Sequence, residues 1–133
     1  MGSLSDYLEN ALLDHLFGSA NFTPPANIYV ALSLTDPTED GSGITEPPAV
    51  ANYARVATAP TDWNGAANGV VDNASNIAFP EANSAWGNIT HFGLFDANVA
   101  GNMVAHGALG AAVVVGANDT PYLAAGNIVV SLE

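Results

Sequence analysis

The sequence predicts a mainly β protein: an antiparallel β-sandwich or jelly-roll-like domain carrying one N-terminal α-helix. Three observations carry that prediction. A helical apolar period occurs once, near the start of the chain, and does not return after Pro25. About seven short apolar or alternating runs follow, separated by clusters of Gly, Pro, Asn and Asp. No second helical stretch is available as a crossover, so neighbouring strands are expected to run antiparallel.

The helix is expected from Ser5 to Phe17. Ser3 or Ser5 supplies the cap, Asp6 and Glu9 sit favourably in the first turn, and Gly18 provides a left-handed stop. Leu8, Leu12 and Leu16 recur at i, i+4 and i+8, widened by Leu4, Ala11, Leu13 and Phe17. A helix of this length is marginal alone, so the stripe is expected to dock on its own sheet, with a neighbouring subunit as the other possibility. Thr23-Pro24-Pro25 ends helical order, and the sandwich is expected over residues 27–132. Ile28–Leu34 is apolar on nearly both faces and reads as a central strand. A loop opens at Asp36-Pro37 and runs to Pro48, and Tyr53–Thr58 then alternates as a short strand. Asn64-Gly65 and Asn68-Gly69 mark tight turns around Val70-Val71, and Asn76–Phe79 is a strand stopped by Pro80. The clearest hairpin joins Ile89–Phe95 to Asn102–Leu109 through Asp96–Gly101. Ala112–Val115 and Asn127–Leu132 are the last strands, with a turn over 116–121.

A chain of 133 residues fits one domain, here 1–133, and buries about 65–70% of its unfolded surface, enough for a core without staples. Cysteine is absent, which removes disulfides and thiolate metal sites. No secretory signal is expected, because the first residues hold neither a basic segment nor a long apolar one. Charge is the most unusual total: 13 acidic residues against the single Arg55 give a net charge of −12. Binding to nucleic acid needs several cations to release counterions, so neither nucleic acid nor an anionic membrane is an expected partner. The remaining surface is largely Asn, Thr, Ser, Gly and Ala, which costs little to desolvate against other subunits.

In order along the chain come Leu16-Phe17-Gly18, the run from Phe22 to Ser33 beginning Phe22-Thr23-Pro24-Pro25, Thr35-Asp36-Pro37, Thr45-Glu46-Pro47 and Tyr53-Ala54-Arg55-Val56. Ile77-Ala78-Phe79-Pro80, the run from Trp86 to Asp96 containing His91-Phe92-Gly93-Leu94-Phe95, and Gly107-Ala108-Leu109 complete the set. As an ordered set these residues resemble small tailed-phage virion proteins commonly labelled tail fibre proteins. The resemblance implies a virion structural component without known catalysis. Some small β proteins of this size in tailed phages cement or decorate the capsid. The chain has no heptads, no G-X-Y tract and no long repeat, so a fibrous shaft is not expected. The expectation is therefore a capsid cement or decoration subunit, with a tail fibre or tail-tip component contacting the host receptor or its polysaccharide as the alternative. Its partners would be itself, as a homo-oligomer with a trimer in view, and the major capsid or tail proteins. It would sit on the exterior of a particle assembled in the host cytoplasm.

Chemistry is sparsely encoded. His91 and His106 lie on the two hairpin arms and, with Asp96, offer a zinc-like ligand set, but a hydrogen-bonded histidine pair is the preferred reading. Asp36, Glu39, Asp40 and Glu46 offer hard oxygen ligands of the kind calcium takes, without EF-hand spacing; a solvated acidic loop is preferred. No GxSxG elbow and no singled-out carboxylate pair suggests an enzyme, and no cofactor is expected. Interface candidates are Leu8, Leu12 and Leu16 on the helix, the aromatics Trp63 and Trp86, and Arg55. Of these, Trp63 is the better candidate for an exposed contact. Arg55 is expected to be partly buried and paired with a carboxylate or backbone carbonyls.

Overall fold

The structure, a computed structural model, describes residues 1–132. Strand β1 (Gly2–Leu4) leads directly into helix α1 (Asp6–Phe17), and eight strands follow. These are β2 (Ile28–Ser33), β3 (Val56–Thr58), β4 (Val70–Asp72), β5 (Ile77–Ala78), β6 (Gly87–Phe95), β7 (Met103–Val115), β8 (Tyr122–Leu123) and β9 (Val129–Ser131). One seven-stranded sheet has the order β3-β2-β6-β7-β1-β9-β4, and β5 with β8 forms a separate two-stranded ribbon. The fold is mainly β with a single N-terminal helix, as predicted. Its second layer is the short ribbon and loops rather than a full second sheet.

Local chemistry explains the helix and the turns. Ser5 accepts from the Leu8 amide at 3.3 Å, and Gly18 closes the helix at φ 90° with its N–H on the Asp14 carbonyl. Asn68 and Gly69 both adopt positive φ, 53° and 76°, and Ala67 and Val70 exchange both backbone hydrogen bonds across them. Asp96 closes the long hairpin by accepting from the Asn102 amide at 2.7 Å.

The alternation of β2 and β6 divides the core. Val30, Leu32, Phe92 and Leu94 point to one face, where Ile77, Leu123 and Ile128 cover them. Tyr53, Phe79 and Trp86 close that layer, with Tyr53 and Trp86 edge-to-face at 5.3 Å. Ala31, Phe95 and Met103 face the other way, beneath Ile44 of the 34–47 loop.

Five features depart from the sequence expectation; one is that Asn64-Gly65 makes no tight turn, because the Asn64 amide donates to the Asp72 carbonyl instead. The β1 strand was not anticipated; it pairs antiparallel with β7 and parallel with β9, so one strand pair is parallel where antiparallel neighbours were expected. The strand expected from Tyr53 begins only at Val56, because Tyr53 and Arg55 turn to Glu46 instead. The separate Ala112–Val115 strand is the continuation of β7. The helical stripe does not dock as expected: Leu8 packs partly on the core, but no residue of α1 is buried, and Leu16 and Phe17 are 73% and 81% exposed.

Candidate interaction surface

Arg55 sits where its pairing was expected. Its Nε and one terminal nitrogen clamp Glu46 at 3.0 and 2.8 Å, while Nη1 donates to the carbonyls of Ala97 and Ala100 at 3.0 and 2.8 Å. The guanidinium lies 3.7 Å over the Phe95 ring, with only 7% of the side chain exposed. Glu46 also accepts from the Tyr53 hydroxyl at 2.7 Å, and that hydroxyl accepts the Leu32 amide at 3.0 Å. Burial and the neighbouring Glu46 carboxylate push the Tyr53 phenol well above its ordinary range. The single strong cation thus ties the 34–47 loop to the tip of the β6–β7 hairpin.

The carboxylates proposed for calcium do not converge. Glu46 belongs to Arg55, and Asp36 accepts from the Thr38 amide. Asp40 accepts from the Thr38 hydroxyl and the Ser42 amide, and these bonds, the Ser42 amide foremost, lower its carboxyl to about 2. Glu39 approaches His106, with Oε1 3.3 Å from Nε2 of the buried ring, while Asp36 stands 3.9 Å from Nδ1. Sequence reasoning missed this contact, because the carboxylates and the histidine are far apart in the chain. The zinc set does not assemble either: Asp96 is bound to Asn102, and His91 shares a hydrogen bond with Thr90. Among the described residues, no three His, Asp or Glu side chains are placed to hold a metal ion.

The two tryptophans separate from the surface role considered for them. Trp86 is 2% exposed and donates to the Ala51 carbonyl at 2.8 Å, so it anchors the core of this chain. Trp63 is half-buried against the core with its indole N–H on Thr58 at 2.9 Å, which leaves no open aromatic platform there.

Two parts of the exposed surface are apolar. Between Ile89↔Val113 and His91↔Ala108 the register jumps, so four residues, Leu109–Ala112, stand opposite Thr90 alone. The run from Ala108 to Val114 carries no charge; Val114 is 74% exposed, and Tyr122, which shares a groove with Val113, is 60% exposed. A groove of about 490 Å³ lies between this bulge and the returning chain, lined by Met1, Leu109, Ala111, Val113, Tyr122 and Val129. The second apolar surface is the outer end of α1, with Leu13, Leu16 and Phe17. The signal for the first was the uncharged Ala-Leu-Gly-Ala-Ala-Val-Val run, which periodicity alone assigns equally well to a buried strand.

The unit is β-rich, several of its carboxylates bind its own loops, and two of its exposed surfaces are apolar. The chain belongs to the podophage GP4 fiber I protein gp80 family, whose model matches residues 3–131. No curated protein matches the sequence. Membership makes it a phage fibre-type, virion-associated protein, and its family is one of structural proteins. The capsid cement role expected from the missing shaft gains no support, and the fibre alternative is favoured.

Proposed function

We propose that the chain is a fibre subunit on the exterior of a podophage tail, acting through protein–protein contacts and without catalysis. The observation that supports this reading is the family match over nearly the whole chain. The uncharged bulge of β7 suits self-association into a homo-oligomer, because it brings apolar surface together without opposing carboxylates. The partly desolvated Arg55–Glu46 clamp keeps the hairpin tip rigid, which suits a subunit that must present a fixed shape.

The test is immunogold labelling of purified virions with an antibody against this chain, alongside the same label on tailless empty heads. Label at the tail, in low copy per particle, is expected. Label spread over tailless heads would return the capsid reading and end this one.

A further inference from the structure

We infer that the outer face of α1 docks on a virion protein other than a second copy of this chain, one presenting an apolar cleft with Lys or Arg at one end. The inference rests on the fibre reading above for the existence of a particle to dock on. Glu9, Leu13 and Leu16 follow one another at i, i+4 and i+7, and Asp6, Leu13 and Phe17 at i, i+7 and i+11, so all five share one side of the helix. All five are exposed. The stripe is therefore divided: carboxylates in its N-terminal half, apolar side chains in its C-terminal half.

That division decides the occupant. Two copies pairing their helices in parallel would bring Asp6 and Glu9 against Asp6 and Glu9, a like-charge contact. Antiparallel pairing would lay those carboxylates over Leu13 and Phe17 and strip their water without a partner. A second copy also has no guanidinium to lend. Arg55 is the only Lys or Arg, and four of its N–H groups are taken by Glu46, Ala97 and Ala100 within its own chain. A heterologous cleft with a cationic end satisfies both halves at once. The β7 bulge, free of carboxylates, has no such restriction, so the two surfaces are suited to different partners.

The probe is the purified particle assembled without this subunit, to which the full-length protein is added back. Wild-type protein is expected to bind at about 0.05 M NaCl and to be released at about 1 M, where the screening length falls to about 3 Å. Leu16→Ser with Phe17→Ser is expected to weaken binding at least about tenfold at low salt. Asp6→Asn with Glu9→Gln is expected to weaken binding and flatten its salt dependence. These positions are exposed; in circular dichroism the Leu16/Phe17 variant should melt like wild type, and the carboxylate variant should show only the small loss that two first-turn carboxylates account for. Binding with unchanged salt dependence in the carboxylate variant overturns the inference and leaves the fibre reading standing. So does an oligomer of the free protein that dissociates in the Leu16/Phe17 variant, which would make a second copy the occupant. Failure of wild-type protein to bind the particles at all sinks both readings.

Discussion

At the scale of single residues, Arg55 makes four hydrogen bonds and lies over the Phe95 ring. Its removal leaves the Glu46 carboxylate half-buried against Tyr53 and frees two carbonyls at the hairpin tip. Breaking one side of such a pair costs about 3 kcal/mol, so Arg55→Ala should lower the urea midpoint at constant slope. Arg55→Met combined with Glu46→Gln should recover part of that loss, because no uncompensated charge then remains. A wild-type midpoint for Arg55→Ala would remove the clamp from the account. Asp40 gives a pH prediction. Its carboxyl is depressed from 3.8 to about 2 by hydrogen bonds from Ser42 and Thr38, so its contribution to loop order is present above 3.8 and lost as pH falls toward 2. Amide exchange at Ser42, corrected for the intrinsic rate, should accelerate across that window in wild type and show no such step in Asp40→Asn. The pairing of Arg55 was legible in the sequence because a lone cation among 13 acids has to find one of them. Which acid it finds was not, since Asp36, Glu39, Asp40 and Glu46 are alike in sequence and differ only in where the loop carries them.

At the scale of elements, the decisive piece is β1, three residues that join β7 to β9 and so hold β9 and β4 on the sheet. It fits because Gly2 faces Gly107. A Cβ on Gly107 would lie 2.5 Å from the Gly2 Cα, and a Cβ on Gly2 would run into the His106 carbonyl. Gly107→Ala should therefore destabilise by about 1–3 kcal/mol through backbone displacement, read as a lower melting temperature. A substitution at Gly110 meets nothing within 4 Å, so Gly110→Ala serves as the control and should melt like wild type. The helix and the β6–β7 hairpin were readable from their caps, their turn residues and their periods. Neither β1 nor the Leu109–Ala112 bulge was, because a three-residue strand has no period to read and a bulge is defined only against its partner.

At the scale of the whole molecule, the balance lies between a charge of −12 that repels copies and an uncharged apolar bulge that attracts them. Salt screens the first and spares the second, so sedimentation equilibrium should show average mass rising with NaCl. Val114→Asp should hold the protein monomeric at every salt concentration; an unchanged oligomer in that variant would place self-association elsewhere on the surface. The sequence by itself determined what neighbouring residues can enforce: one capped helix, a mainly β remainder, tight turns at Asn68-Gly69, and a chain without clustered cations. The tertiary structure alone decided that β1 lies between β7 and β9, that Glu39 reaches His106, and that the helical stripe stays open. Ser131 donates to the Gly2 carbonyl across 129 positions of chain. Contacts at that separation are set by how the sheet closes, which no local pattern of residues specifies.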